Sequence, residues 1–131
     1  SRYQDGFEAR SFESVQVEAV PDDALQSARE ECARVRVEPK LLDYIVSIVR
    51  ATRNSPAVSL GASPRAAISL MLVGKAIAAI EGRDFLIPDD VKTAAPPILR
   101  HRMLLKPEAD LEGITPDQIV AEVLAATSVP Q

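Results

Sequence analysis

Arg65 is the residue whose type and position are best suited to chemistry in this sequence. Ser63 and Pro64 precede it and predict a helix start, because a serine can accept hydrogen bonds from the free N–H groups there and proline fits the first helical position. Gly61 supplies a permissive turn before them. A cation in the first turn of a helix is unfavourable by up to about 1 kcal/mol unless an anion lies nearby. Arg65 therefore favours a phosphate or carboxylate partner, and the alternative is a surface arginine loosely paired with an acidic residue.

Two other patterns resemble chemical motifs but have simpler explanations. Gly74-Lys75 looks like the end of a phosphate-binding loop, yet the remaining residues of GxxxxGK[ST] are absent and the pair falls inside a predicted helix. Asp89 and Asp90 could suggest a metal site or an acid/base pair, but they follow Pro88 at a predicted helix start, where acidic side chains act as caps. Ordinary helix composition and capping are the preferred interpretations.

The remaining nucleophiles and bases do not assemble into a catalytic set. His101 is the single histidine, and no serine or cysteine stands at a spacing that suggests a triad, so we interpret it as a packed or surface residue. Cys32 occupies an apolar position of a predicted helix and is interpreted as a small core side chain. The sequence therefore predicts no complete catalytic site and no metal site.

The composition describes the scaffold that must position Arg65. A chain of 131 residues suits one domain, and 47% apolar residues with 4% aromatic residues leave Ala, Val, Ile and Leu to fill the core. The net charge of -4 argues against a general nucleic-acid-binding protein, which would need a basic surface. We therefore expect a mostly helical protein that does not bind nucleic acid.

The cellular setting is also suggested by the sequence. A single cysteine excludes an internal disulfide and favours a reducing, cytoplasmic environment. Neither a signal peptide nor a run of about 20 apolar residues is present, so no membrane span is expected. The first residue is Ser1 rather than Met, from which we expect a piece of a longer protein.

Apolar spacing and helix-start signals predict an all-α bundle of four to five helices with short extended connections. The predicted helices cover about 22–34, 39–53, 64–81, a fourth beginning at Pro88, and 116–126. The third helix is apolar around most of its circumference, so it should be the most buried and surrounded by others. Gly82 should close it as a left-handed cap.

The sequence also predicts how individual helices begin and end and which connections are extended. Pro96 and Pro97 should break or kink the fourth helix near Ala95 and leave a short segment at about 97–102. Ile87 offers no capping side chain, so the fourth helix should begin less firmly. Thr115 and Gln118 form a capping box for the last helix. Extended connections are expected at Val35–Val37 and 85–87, and residues 1–20 form an irregular arm with an extended stretch at Val15 and Val17.

Five stretches of the chain, in order and at characteristic spacings, resemble the C-terminal lid of MoxR-type AAA+ ATPases. They are Leu42-Asp43-Tyr44-Ile45-Val46, Ala51-Thr52-Arg53, Gly61-Ala62-Ser63-Pro64-Arg65, the pair Glu81-Gly82-Arg83-Asp84-Phe85 and Pro88-Asp89-Asp90-Val91, and Leu99-Arg100-His101-Arg102. Leu111-Glu112-Gly113-Ile114-Thr115 also fits the end of that family. The resemblance implies that residues 21–131 are the lid and residues 1–20 the connection from the missing ATPase core.

The resemblance also implies a role for the candidate site. In such proteins the lid closes over ATP, and an arginine at the start of its third helix, called sensor 2, contacts the γ-phosphate. By motif that residue is Arg65, with Gly61, Ser63 and Pro64 as the turn that positions it. ATP and Mg²⁺ belong to the full-length protein, and we expect this chain alone neither to hydrolyse ATP nor to bind it tightly.

The resemblance further implies a ring of identical subunits that couples ATP hydrolysis to chaperone-like assembly or activation of protein complexes. Partners would be the chain's own AAA+ core and proteins carrying a von Willebrand A domain. The competing hypothesis is a non-enzymatic helical interaction module, in which the apolar helices dock a partner and Arg65 is only a surface residue. The two hypotheses differ in whether the function of the domain depends on nucleotide.

Overall fold

Helices make up most of the described chain, which comprises residues 18–131 of the computed structural model. The elements in order are α1 (Ala24–Arg34), α2 (Pro39–Asn54), β1 (Val58–Leu60), α3 (Pro64–Ile80), α4 (Pro88–Leu99), β2 (Leu104–Leu105), α5 (Pro107–Leu111) and α6 (Pro116–Ala126). The predicted arm falls almost entirely outside the described residues, and so does the stretch at Val15 and Val17. The predicted all-α fold is confirmed.

Proline marks the start of five of these helices, because its fixed φ suits the first turn and its missing N–H would have no intrahelical partner there. The prolines are Pro39, Pro64, Pro88, Pro107 and Pro116. The predicted capping box of α6 is also present, since the Thr115 N–H donates to Gln118 Oε1 at 2.8 Å and the Gln118 N–H donates to Thr115 Oγ1 at 3.3 Å. Gly82 ends α3 with φ +72°, as predicted for a left-handed cap.

The core lies between four helices that pack as successive neighbours: α2 on α3, α3 on α4, α4 on α6, and α6 on α2. Its largest fully buried apolar side chains are aliphatic, as the composition predicted: Ile45 and Ile48 from α2, Leu70 from α3, Val91 and Leu99 from α4, and Ile119 and Val120 from α6. Burial of each such side chain contributes about 1.5–3 kcal/mol. These contacts fix α3, and therefore Arg65, relative to the other three helices.

Two short extended pairings connect the helices. β1 and β2 pair antiparallel, with Val58 opposite Leu105 and Leu60 opposite Leu104. The connection between α1 and α2 pairs in parallel with the connection between α3 and α4, where the Arg36 N–H donates to the Asp84 carbonyl at 2.8 Å and the Leu86 N–H donates to the Arg36 carbonyl at 2.9 Å. The predicted extended connections are therefore paired with each other.

The predicted break in the fourth helix is wrong. α4 continues from Pro88 to Leu99 with Pro96 and Pro97 inside it. Each proline removes one backbone hydrogen bond. The buried side chains of Ala95, Ile98 and Leu99 lie on both sides of the prolines, and their packing maintains the helix. The free energy gained by burying these side chains outweighs the cost of the backbone hydrogen bonds that the two prolines remove.

The prediction that the third helix is surrounded is also wrong. α3 buries only one side, through Ala66, Leu70, Gly74 and Ala78. Several of its large apolar side chains face outward, including Ile68 at 56%, Leu72 at 55% and Ile80 at 82% exposure. The buried side consists mostly of small residues, while several large apolar ones lie on the exposed side, so apolar character around the whole circumference did not indicate burial all round.

α1 packs more loosely than its apolar spacing predicted. It contains no buried residue, and Cys32 is only half-buried rather than a core side chain. One hydrogen bond ties it to α3, from Lys75 Nζ to the Ala33 carbonyl at the end of α1, at 2.8 Å. The short helix α5 was not predicted, which gives six helices in the described residues instead of four or five.

Candidate functional site

Arg65 is the second residue of α3, and its side chain is exposed. Within residues 18–131 no carboxylate lies within ion-pair distance of its guanidinium, and its side chain donates no hydrogen bond. The loose pairing with an acidic residue that the sequence left open is therefore not present in this part of the chain. Among the described residues, therefore, the Arg65 guanidinium has no anionic partner.

The turn before α3 packs directly against the end of α2. A Cβ atom built on Gly61 would lie 2.5 Å from Arg53 Cγ, 2.6 Å from Arg53 Cα and 2.8 Å from Arg53 N. The reason for glycine differs from the one expected, because Gly61 does not have a positive φ. It is the close approach of two backbone segments that leaves no space for a side chain.

Two consecutive side chains of α2 hold the residue after Gly61. The Ala62 N–H donates to Thr52 Oγ1 at 3.0 Å, and Arg53 Nε donates to the Ala62 carbonyl at 2.8 Å. Thr52 is fully buried, and its hydroxyl also donates to the Val49 carbonyl at 2.7 Å. We call Gly61, Ala62, Thr52 and Arg53 the α2 clamp; it fixes the backbone three residues before Arg65.

Ser63 and Pro64 complete the helix start, although not quite as expected. Pro64 is the first helical residue, as predicted, and Ser63 is the N-cap residue. The Ser63 side chain makes no capping hydrogen bond. The Ser63 carbonyl instead accepts from the Ala66 N–H at 2.9 Å, which tightens the first turn. Pro64 has no N–H and that of Ala66 is taken, so the Arg65 N–H is the donor left at this helix start, and together with the Arg65 guanidinium it forms a positively polarised surface.

A second contact fixes the first turn of α3 from the side of α4. Ser69 Oγ donates to the Arg65 carbonyl at 3.2 Å, and the half-buried Arg102 donates from Nη1 to Ser69 Oγ at 3.1 Å. His101, beside it, is exposed, and Arg102 Nε lies 3.4 Å from His101 Nε2. Arg102 is thus brought to the same face of α3 as Arg65, through Ser69.

The other end of α3 is fixed to the start of α4 by an ion pair that sequence reasoning missed. Arg83 binds Asp90 through two hydrogen bonds, Nη1 to Oδ2 at 2.8 Å and Nη2 to Oδ1 at 2.6 Å. Asp90 Oδ2 also accepts from the Ile87 N–H at 3.0 Å, so α4 is firmly capped even though Ile87 has no polar side chain. Asp89 is exposed and pairs with Lys92 at 3.3 Å.

The Asp90 carboxyl is buried, yet it remains ionised. Burial alone would raise its pKa, but the hydrogen bonds from Arg83 and from the Ile87 N–H outweigh that effect and hold the pKa of Asp90 below its ordinary value. The preferred interpretation of Asp90 as a capping residue is confirmed. Neither acid has a metal-binding arrangement, and residues 18–131 contain no group of three or more side chains suited to holding a metal ion.

Thr52 and Arg102 were not identified as site residues from the sequence. Thr52 falls in the apolar register of α2 and was counted with its apolar positions. A threonine in a buried register needs a hydrogen-bond partner, and that is the signal that could have identified it. Arg102 gave no such signal, because its partner Ser69 is 33 residues away in the chain.

The chain is similar to known proteins of one family. The sequence profile of the AAA lid domain family matches residues 50–123. The chain is 47% identical over 100 residues to the uncharacterised protein YeaC of Bacillus subtilis, covering 76% of this chain and 31% of that protein. It is 36% identical over 104 residues to the chaperone MoxR1 of Mycobacterium tuberculosis, covering 72% of this chain and 28% of that protein.

A solved structure is similar as well. The crystal structure of a protein from Cytophaga hutchinsonii, provisionally assigned as an ATPase, aligns with a TM-score of 0.74 at 35% identity, over 78% of this chain and 34% of that one. The helical bundle and the profile match define a class: this chain belongs to the AAA lid domain family. Its MoxR relatives place it further, as the lid domain of a MoxR-type AAA+ ATPase. The chain spans about a third of the length of the curated relatives it matches.

Proposed function

We propose that this domain closes over ATP bound to the core of a MoxR-type AAA+ ATPase, and that Arg65 is the sensor 2 residue that contacts the γ-phosphate. The observation that carries the proposal is an exposed arginine in the first turn of α3, with no carboxylate partner in residues 18–131. A guanidinium at the positively polarised end of a helix is well suited to phosphate oxygens. Gly61, Ser63 and Pro64 form the turn that places it.

The chemistry of the site fits a contributing role. Phosphoryl transfer needs a cradle of backbone donors around the phosphates and Mg²⁺ to neutralise charge, and Arg65 would add one cation to that arrangement. ATP and Mg²⁺ would be held by the core domain of the full-length protein. The lid would supply the charge that responds to whether the γ-phosphate is present.

The same contact provides a mechanism for movement. ATP between core and lid attracts Arg65 toward the γ-phosphate, and hydrolysis removes that attraction, so the lid rotates. In a ring of identical subunits this rotation changes the contacts between neighbours. We propose that the full-length protein uses it for chaperone-like assembly or activation of protein complexes in the cytoplasm, with von Willebrand A domain proteins as candidate partners. None of the described helices is long and apolar enough to cross a membrane.

The test is ATP hydrolysis by the full-length protein, wild type against Arg65→Ala, with nucleotide affinity measured in parallel. Arg50→Ala is a matched control, because Arg50 is also exposed and also without an ion pair in residues 18–131. We expect Arg65→Ala to lower turnover about tenfold or more while the protein stays folded. Arg50→Ala should be close to wild type. Equal turnover in all three proteins would contradict the proposal.

The outward-facing apolar side chains of α3 favour a second candidate function. Ile68, Leu72 and Ile80 could dock another protein in a helical interaction module that does not use nucleotide. That candidate predicts no ATPase activity, or turnover that does not respond to Arg65→Ala. The same experiment therefore separates the two functions.

A further inference from the structure

We infer that Thr52 is a positioning residue for Arg65, and that it acts by making the helix start part of the rigid body of α2. The inference rests on the proposed nucleotide role of Arg65. It concerns how the lid holds its arginine: the α2 clamp attaches the turn before α3 to α2, so that the first turn of α3, with Arg65, moves together with α2.

The hydrogen bonds of the clamp support this. Both polar backbone groups of Ala62 are occupied by neighbouring side chains of one helix, the N–H by Thr52 and the carbonyl by Arg53. The methyl group of Ala62 is fully buried, so this residue cannot shift without losing packing as well. From Ala62 to Arg65 the chain contains only Ser63 and Pro64, and proline fixes its own φ.

Thr52 is suited to this task because its hydroxyl has two partners. It donates to the Val49 carbonyl in its own helix at 2.7 Å, which orients the oxygen, and it accepts from the Ala62 N–H at 3.0 Å. A hydroxyl can donate and accept at once, whereas the isosteric valine can do neither. Thr52 is also fully buried, so it cannot reach a nucleotide and can act only through the turn.

Arg53 provides an independent variant of the same clamp. Its side chain is exposed, and its Nε donates to the Ala62 carbonyl at 2.8 Å. Replacing it therefore loosens the turn without opening the core. This matters because Thr52→Val leaves the buried Ala62 N–H without its partner and could prevent folding.

The experiment is a set of double-mutant cycles in the full-length protein, measuring kcat and KM for ATP hydrolysis. Thr52→Val and Arg53→Gln are each made in the wild-type background and in the Arg65→Ala background. Thr52→Ser retains the hydroxyl and serves as the conservative variant. Thr127→Val is the matched control for the threonine, because Thr127 Oγ1 also donates to a carbonyl of its own helix, at 2.7 Å. Arg50→Gln is the control for the arginine.

We expect Thr52→Val and Arg53→Gln each to lower kcat about tenfold in the wild-type background, since a displacement of about 1 Å can cost a factor of that size or more. In the Arg65→Ala background neither should lower kcat further by more than about twofold, because residues that act through one group are not additive. Thr52→Ser should restore most of the activity. Both controls should match the wild type.

Three results would overturn the inference, and they differ from one another. If Thr52→Val and Arg53→Gln reduce kcat by the same factor in both backgrounds, the clamp acts on the fold in general or on nucleotide directly. If Arg65→Ala lowers turnover, whereas Arg53→Gln and a correctly folded Thr52→Val do not, only the positioning role is wrong. If Arg65→Ala itself leaves turnover unchanged, the proposed nucleotide role fails and the inference fails with it. If Thr52→Val does not fold, the kcat values of Arg53→Gln in the wild-type and Arg65→Ala backgrounds test the inference by the same criteria.

Discussion

Asp90 is the acidic side chain that the described part of the chain buries, and it is stabilised entirely by hydrogen bonds. Two come from Arg83 and one from the Ile87 N–H. A buried carboxylate is stable only when its oxygens are satisfied in this way. The carboxylate therefore joins the end of α3 to the start of α4 through a single charged group.

The pKa of Asp90 predicts a dependence of stability on pH. Because the folded protein holds this pKa below its ordinary value, its contribution to the free energy of unfolding is complete above the unfolded pKa, about 4, and is lost as the pH falls through the folded pKa. We expect Asp90→Asn to lower the free energy of unfolding by about 2 kcal/mol at pH 7, and the difference from wild type to shrink below about pH 4.

Urea unfolding at pH 7 and at pH 3 measures this. Asp89→Asn is the control, because Asp89 is exposed and pairs only with Lys92. It should change stability by less than about 1 kcal/mol at either pH. A difference between wild type and Asp90→Asn that persists undiminished at pH 3 would show that the charge of Asp90 is not what stabilises the junction.

At the scale of residues, the sequence predicted the candidate arginine but not the groups that hold it. Arg65 and Pro64 were identified because helix-start signals are local. Ser63 is the N-cap residue as predicted, but its side chain makes no capping hydrogen bond, and the Ala66 N–H binds the Ser63 carbonyl instead. Thr52 was missed because its partner is the Ala62 backbone, 10 residues away, and no sequence spacing encodes that contact. The phosphate contact itself stays a prediction.

At the scale of elements, two glycines flank α3 and serve different physical purposes. Gly61 lies against Arg53 and has no space for a Cβ atom. Gly82 has open space within 4 Å but a φ of +72°, which L-residues with side chains rarely adopt. The two positions therefore predict different consequences for the same substitution.

We expect Gly61→Ala to lower the free energy of unfolding by about 2–3 kcal/mol, because a methyl group must push α2 and the turn apart. Gly82→Ala should cost about 1 kcal/mol, the strain of a left-handed alanine. In the full-length protein Gly61→Ala should also lower ATP turnover, because it displaces Arg65, whereas Gly82→Ala should not. Thermal or urea unfolding and the ATPase assay measure both effects. Equal costs for the two variants would contradict the close packing at Gly61.

Helix starts could be predicted from the sequence better than helix interiors. Proline at the first position is a local signal, and the four starts predicted at Pro39, Pro64, Pro88 and Pro116 are all present, whereas the start at Pro107 was not predicted. The continuity of α4 through Pro96 and Pro97 could not be predicted, because it depends on burial of Ala95, Ile98 and Leu99 against other elements. The exposure of one side of α3 could not be predicted either, because the residues that face α4 and those that face the exterior are both apolar.

At the scale of the whole molecule, the proposed binding of ATP needs many groups, and to it this chain would contribute Arg65. It spans about a third of its relatives, and its described residues offer no phosphate cradle around Arg65 and no cluster for Mg²⁺. We therefore expect the isolated chain to bind ATP no more tightly than millimolar, as one exposed charge-assisted contact provides little free energy. Calorimetric titration with Mg-ATP measures this. Stoichiometric binding at micromolar concentrations would contradict it, and a folded chain by circular dichroism is the necessary control.

The loose packing of α1 has a consequence for how the isolated domain unfolds. α1 has no buried residue, a groove of about 420 Å³ lies between it and α3, and the Lys75 side chain donates a hydrogen bond to a carbonyl of its last turn. Such an element opens as a cooperative unit of its own, at a free energy well below that of the four-helix core. A protease would therefore gain access to the backbone of α1 first, through a local opening that leaves α2, α3, α4 and α6 intact.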